Sequence, residues 1–237
     1  MRNEKRQKVS VIITTIGRKS LKKSVQSVKR QTYRDWELII VDDRKRRGGA
    51  WALNQGIDKA KGEYIAILDD DDAWVSRDKL EKQVKFLDEN PDYIACGCNP
   101  QKGQGKEVKV NLIGTPFAHI SMMFRKGLRY NEKLKRAKDL DFMVRLSKLG
   151  KLGLVDCRVS FQDSNLNKKI KDCHWHRKVC LLHRDFPDWL KIYKYLWKRE
   201  LKLRRYKSMN ALRKIFGKTE KSTGIHPILT NTHTEIR

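Results

Sequence analysis

The chain has 237 residues, with 54 Lys and Arg against 28 Asp and Glu, a formal net charge of +26 at pH 7. That length suits one α/β domain plus an extension, and no run approaches the ~20 apolar residues of a transmembrane helix. Five cysteines in so long a chain argue against a disulfide framework.

The start, MRNEKRQK followed by VSVIITTI, superficially mimics a signal peptide. Its apolar stretch is short, contains Ser10, Thr14 and Thr15, and runs into Gly17-Arg18-Lys19 with no small-residue cleavage site. It reads instead as a first strand, Val9 to Thr15, and the protein is expected to be cytoplasmic. Ser20 to Gln31 follows as an amphipathic helix, with Leu21, Val25 and Val28 at helical spacing. Trp36 to Val41 is a second strand and ends in Asp42-Asp43; Trp51 to Ala60 is a second helix with Gly62 as its stop. The apolar run Tyr64 to Leu68 reads as a buried third strand and ends in four consecutive acids, Asp69 to Asp72. Lys79 to Asn90 is the next helix, with Leu80, Val84 and Leu87 on one face and Pro91 beyond it. Strict strand–helix alternation argues for a parallel sheet.

Four adjacent carboxylates repel one another, and cationic partners relieve that repulsion. Lysines and arginines of the chain are one source; a divalent metal, which prefers hard carboxylate oxygens, is the stronger one. An isolated acidic run is equally a solvated turn. Its position favours a site, since ligands of open α/β sheets bind at the carboxyl ends of strands. Two separate strands ending in paired aspartates are hard to explain by packing.

The segments VSVIITT, SVQSVKRQTYRDWELIIVDD, ALNQGIDKAKGEYIAILDDDDAW, KLEKQVKFL and LKRAKDLDFMVRLSKLGKLGLV, in this order and spacing over roughly residues 8 to 156, resemble the family 2 glycosyltransferases. The resemblance implies an α/β fold of the GT-A type, a Rossmann-like mixed sheet flanked by helices. To this is added a basic helical C-terminal extension, giving a catalytic domain over 1–163, a basic amphipathic helical extension over 164–216 and a flexible tail over 217–237. By the same resemblance Thr14 and Asp43 lie around the nucleotide base. The DxD motif falls on Asp69-Asp70-Asp71, with Asp69 and Asp71 as ligands of Mg²⁺ or Mn²⁺ and Asp70 facing the nucleotide ribose or diphosphate. Lys138-Asp139-Leu140-Asp141 stands where the family carries E-D-x-D, so Asp139 maps to the general base. The chemistry fits these residue types: a metal offsets charge building on a diphosphate leaving group, and a carboxylate takes the proton of a sugar hydroxyl as it attacks.

The chain also departs from the family pattern. After Asp43 come Arg44-Lys45-Arg46-Arg47-Gly48-Gly49 and then a helix almost at once, so this segment is short and the sheet is expected to lack a strand. Its four basic residues either bind phosphate or form a solvated loop. Leu53 sits where relatives often carry arginine, Lys138 replaces the glutamate before the base, and no arginine–histidine pair is evident around Gln162-Asp163-Ser164. Lys138 is expected to favour the ionised form of Asp139.

Val108 to Ile113 and His119 to Phe124 read as two further strands, and Asp139 to Leu149 as a helix. His119 either positions a substrate or is structural. Cys96 and Cys98 are expected on opposite faces of a strand. Cys173, His176, Cys180 and His183 have the look of a zinc set, but a continuous helix would spread them over ~15 Å. A partly buried helix face is therefore expected.

Residues 164–237 hold 19 Lys and Arg against 6 Asp and Glu, half the net charge in under a third of the length. The helical stretch after Pro187 mixes Trp189, Ile192, Tyr193, Leu196, Trp197, Leu203 and Tyr206 with lysines and arginines. Such a helix can lie on an anionic membrane, pack on the catalytic domain, or meet nucleic acid. The expected function is metal-dependent, inverting transfer from a nucleotide sugar, by family frequency a UDP-sugar. The expected acceptor is a glycan or lipid-linked saccharide at the inner face of the plasma membrane. The alternatives are a nucleic-acid-directed glycosyltransferase and a catalytically inactive basic binding protein on the same fold.

Overall fold

The computed structural model describes residues 8–98, 107–110, 112, 115–160, 175–186 and 188–223, without the side chains of 160 and 210–223. The segment 162–164, Cys173 and everything beyond Thr223 lie outside the described residues.

Strands β1 (Val9–Thr15), β2 (Trp36–Asp42) and β3 (Tyr64–Asp69) are parallel, joined by helices α1 (Leu21–Lys29) and α2 (Gly49–Lys59). The short β4 (Ala73–Trp74) and helix α3 (Lys79–Glu89) lead to β5 (Tyr93–Cys98). The stretch expected as a strand over His119 to Phe124 instead opens with a 3₁₀ turn, His119–Ser121, and only then extends as β6 (Met123–Arg125). Of the strand expected over Val108 to Ile113, residues 111 and 113 lie outside the described residues; at its start Val108 donates to Leu152 O at 2.8 Å, next to an isolated bridge between Glu107 and Gly153. Helix α4 (Lys138–Ser147), β7 (Lys151–Val155) and β8 (Val159–Ser160) complete the domain.

The main sheet has the order β2-β1-β3-β6-β5-β7, and β4 pairs with β8 in a separate ribbon. Alternation of strands and helices gives parallel pairing for β1 to β3, but β6 runs antiparallel to both β3 and β5, so the sheet is mixed. The connection after β2 goes straight into α2, which leaves β2 at the sheet edge.

One apolar layer, with Leu53, Ile57, Phe124, Phe142 and Leu146, lies under α2 and α4; the other, with Val28, Leu80, Val84 and Leu87, lies under α1 and α3. Tyr64 to Leu68 have no exposed surface, as a strand covered on both faces requires. Lys79 is also fully buried, its ammonium 3.9 Å from the Trp74 ring centroid and 2.6 Å from Gln83 Oε1. Burial pushes its pKa down to about 7.

Two expectations about cysteine are corrected. Cys96 and Cys98 are two residues apart on β5, so they share a face and both enter the layer under α1 and α3. Cys98 forms a disulfide with Cys157, 59 residues away. The parallel register sets Cys98 against Val155 of β7, so Cys157 lies just beyond the paired strand.

A helical segment at 175–182, α5, and the long helix α6 (Trp189–Thr223) form the extension. Helix α6 runs past residue 216, where a tail was expected to begin. Its first turns belong to the core: Leu196 is fully buried, and Trp189, Ile192 and Tyr193 pack against the layer under α4. Glu200, one turn on, is buried between Arg177 of α5 at 2.9 Å and Arg204 at 2.7 Å. Cys180 is buried and His183 turns to α4, as expected of a partly buried helix face.

Candidate active site

The register pairs Thr15 with Asp42 and Thr14 with Asp69, so the carboxyl ends of β1, β2 and β3 lie in one row. At that edge Thr14, Thr15, Ile16, Arg18, Asp43, Gly49, Ala52, Asp69, Asp70 and Asp71 line a cavity of about 270 Å³. Five residues predicted from the sequence, Thr14, Asp43, Asp69, Asp70 and Asp71, thus converge.

Their individual environments differ. Asp70 is 1% exposed and saturated with donors: Thr15 Oγ1 at 2.5 Å, the Ile16 amide at 3.2 Å and the Arg18 guanidinium. Burial pushes its carboxyl up, but these hydrogen bonds and the arginine charge outweigh burial and hold it below the usual carboxylate range. Asp43 is also buried, and its two oxygens accept the amides of Arg47 at 2.7 Å and Gly48 at 2.9 Å. It therefore folds the basic loop into the start of α2 as well as lining the cavity. Asp69 Oδ1 is 3.4 Å from Thr14 Oγ1, and the Asp71 side chain, one-third exposed, has Arg18 at 3.5 Å. Asp69 and Asp71 are the acids with oxygen to spare.

Arg18 is the residue that motif reading missed. Gly17, at φ +87°, turns the chain after β1 so that Arg18 reaches back over the acids. The signal was present: a lone arginine in the β1–α1 turn of a sheet whose third strand ends in four carboxylates. In the basic loop, Arg44 turns onto Asp42 at 2.6 Å and Arg47 stacks on Trp51 at 4.5 Å. A second cavity of about 400 Å³, lined by Asp42, Asp43, Arg44, Lys45, Arg47 and Trp51, adjoins the first at Asp43.

Asp139 does not line the acidic cavity but lies beside it, in the first turn of α4. The neighbouring Lys138 side chain passes Gly49, a cavity residue, so closely that a Cβ there would be 3.1 Å from Lys138 Cε. Asp139 and Asp69 both act electrostatically on His119. Burial raises the Asp139 carboxyl; the Lys138 ammonium, His119 and backbone amides more than offset it and keep it below the ordinary value. His119 is pushed down to about 4 by burial and by Lys138, against the opposing pull of Asp139 and Asp69, so it is neutral near pH 7. Its Nε2 is 2.9 Å from the Tyr130 hydroxyl, and Tyr130 stacks on Phe142 of α4 at 3.9 Å. His119 thus packs against the side of the cleft that carries Asp139.

No group of three or more His, Cys, Asp or Glu converges on a metal position among the described residues. A pair of carboxylates still fits Mg²⁺ or Mn²⁺, because such ions are commonly held by one or two carboxylates plus substrate phosphates and water. Asp69 and Asp71 are the two acids of this cavity that could hold such an ion.

Comparison with known proteins agrees with this geometry. The model of "Glycosyl transferase family 2" matches residues 10–48 and 44–152, breaking at the basic loop. An uncharacterized glycosyltransferase of Methanocaldococcus jannaschii is 30% identical over 185 residues, 58% of this chain and 63% of that protein. The putative glycosyltransferase EpsE of Bacillus subtilis is 28% identical over 195 residues, 60% of this chain and 68% of that protein. The Escherichia coli UDP-Glc:alpha-D-GlcNAc-diphosphoundecaprenol beta-1,3-glucosyltransferase WfgD is 30% identical over 106 residues, covering 35% of this chain and 42% of that protein. Among solved structures, S. aureus TarS 1-349 in complex with UDP superposes with a TM-score of 0.61 at 17% identity, over 82% of this chain and 72% of that one. A Pyrobaculum calidifontis mannosyltransferase in complex with GDP-Man and Mn²⁺ gives 0.59 at 18% identity, over 82% and 70%. These structures share the GT-A fold seen here. The family match spans more than half of the chain, and with it the acids of β3 and the first turn of α4: the protein belongs to glycosyl transferase family 2.

Proposed function

We propose that the protein transfers a sugar, with inversion, from a UDP-sugar to a hydroxyl of a glycan or lipid-linked saccharide, using Mg²⁺ or Mn²⁺ at the face of an anionic membrane. The observation that carries this reading is the gathering of Thr14, Asp43, Asp69, Asp70 and Asp71 on one cavity at the ends of three parallel strands, with Asp139 beside it. The UDP complex of TarS and the lipid-linked acceptor in the name of WfgD support the donor and acceptor classes, and the Mn²⁺ complex of the mannosyltransferase supports the metal.

Asp69 and Asp71 would hold the metal, which when bound offsets the charge growing on the diphosphate. Asp70 keeps Arg18 at the cavity mouth, where its guanidinium faces the same diphosphate. Asp139, ionised and close to neutral His119, takes the proton of the acceptor hydroxyl. The acceptor oxygen then bonds to the anomeric carbon from the side opposite the leaving group. The bond from that carbon to the diphosphate oxygen breaks with its electron pair, and the configuration inverts.

Thermal unfolding with UDP-sugars and Mn²⁺ tests the donor class. A donor at 100 times its Kd stabilises the fold by about 2.7 kcal/mol, a shift of several degrees. UDP-glucose and UDP-N-acetylglucosamine are expected to act only with the metal present. A shift with no nucleotide sugar, with or without metal, contradicts the reading.

The membrane part rests on the outer face of α6. Flanking the packed residues, Leu190, Trp197 and Leu201 form an exposed stripe, and Lys191, Lys194, Lys198 and Arg205 lie beyond it on the far side of the helix. Among the described residues no helix is long and apolar enough to cross a membrane, so contact would be at the surface. The full-length protein is expected to sediment with phosphatidylglycerol vesicles and to be released by salt. Neutralising Lys191, Lys194 and Lys198 with glutamine should weaken binding about 100-fold, at ~1 kcal/mol per charge. Equal binding of both forms removes α6 as the contact.

A further inference from the structure

The extension is tied to the catalytic helix by a buried polar link whose extension side, His183, lies beyond the family match. His183, at the end of α5, places Nε2 2.9 Å from Asp141 Oδ1, and both side chains are almost fully buried. Asp141 Oδ2 takes the Arg145 side chain at 2.9 Å. Burial raises the Asp141 carboxyl, and the bonds from His183 and Arg145 more than reverse that, so it stays ionised. The far side of the imidazole, Nδ1, is 3.4 Å from Lys148 Nζ, which also holds Asp185 at 2.6 Å. An ionised carboxylate only accepts, so Nε2 carries a proton aimed at Asp141. The backbone is fixed as well: the His183 amide donates to Val179 O at 3.1 Å, and its carbonyl accepts from Phe186 at 3.0 Å.

What this link holds is the start of α4. Ala137, immediately before the helix, has φ +53°, an uncommon conformation for a residue with a side chain. Asp139 follows two residues later, and the Asp141 amide closes the first turn onto Ala137 O at 3.1 Å. A first turn entered through an unfavourable backbone needs an outside anchor to stay in one place. Asp141 supplies it from the same turn that carries Asp139, and His183 supplies it to Asp141.

We propose that His183 is a positioning residue for transfer: through Asp141 it fixes the first turn of α4, and so the carboxylate of Asp139, from the C-terminal extension. The catalytic unit therefore includes α5, although the family pattern ends at residue 152. This rests on Asp139 acting as the base.

The test compares His183→Ala and His183→Gln in the full chain, since a glutamine amide can place an N–H near the position of Nε2. Two readouts are taken: amide hydrogen exchange of residues 138–142, which needs no substrate, and UDP release from UDP-glucose or UDP-N-acetylglucosamine with acceptor. His183→Ala is expected to speed exchange in that turn while leaving β1 to β3 protected. It should lower kcat about 100-fold, the scale of a misplaced reacting group, at unchanged donor KM. His183→Gln should recover most of both. Unchanged exchange and kcat in folded His183→Ala overturn the proposal. So does a general loss of protection and of donor affinity in either variant, which would make His183 only a packing residue. Full activity of Asp139→Asn, measured alongside, would instead remove the base assignment and leave the exchange result to stand alone.

Discussion

Asp71→Asn is expected to abolish metal-dependent binding of UDP and to lower transfer by about 10³-fold, since metal neutralisation of a diphosphate leaving group contributes several kcal/mol. The substitution keeps the size of the side chain and removes one charged oxygen ligand. The choice of Asp71 over its neighbours follows from the geometry. Asp70 has its oxygens committed to Thr15, Ile16 and Arg18. Asp71 is partly exposed at the cavity and meets Arg18 only at 3.5 Å. Asp70→Asn should therefore give a different defect: Arg18 loses its anchor and donor affinity falls, while dependence on Mn²⁺ persists. Calorimetric titration of UDP with and without Mn²⁺ separates the two. Undiminished transfer by the wild-type protein in excess chelator, or by Asp71→Asn, would remove the metal from the mechanism.

Much of the donor side was legible from residues alone, because it depends on local signals. A wholly apolar strand ending in acids implies a covered sheet with a site at its edge, and the parallel register of β1 to β3 then brings Thr14 and Asp69 together. What was not legible depends on contacts distant in sequence. Arg18 lies 52 residues from its partner Asp70, and His183 lies 42 from Asp141. The Cys98–Cys157 disulfide depends on how β5 and β7 are registered, which cysteine spacing does not reveal. The antiparallel insertion of β6 breaks the alternation from which a parallel sheet was inferred, because a three-residue strand after a 3₁₀ turn carries no periodicity of its own. The extension was ambiguous for a further reason. Helix α6 has apolar residues both inside, at Leu196, and outside, at Trp197, so one helix carries a packed side and an exposed apolar side, and periodicity alone does not separate them.

Asp139→Asn should reduce transfer by ~10²–10⁴-fold, the usual worth of a general base, and leave UDP affinity nearly unchanged. Asp141, two residues on, is a poor substitute: it is 1% exposed and both its oxygens are engaged by His183 and Arg145. The pH profile carries a second, independent check on the assignment. A base works only when ionised, so activity falls as pH drops through its pKa. The Asp139 carboxyl lies below the ordinary aspartate value despite its burial, chiefly because Lys138 stands beside it. The acid limb of kcat/KM should accordingly lie below that value in the wild type. Lys138→Glu removes the cation and adds an anion, and both changes favour the protonated carboxyl. The acid limb should then move to higher pH, with a smaller move for Lys138→Met, which removes the cation only. In the plateau above the limb, the glutamate variant should retain most of its rate if Lys138 acts only through the charge of Asp139. An acid limb that stays in place in both variants would mean that the titrating base is a group other than Asp139. A plateau lost in Lys138→Met at unchanged limb position would instead assign the lysine a direct contact with substrate across Gly49.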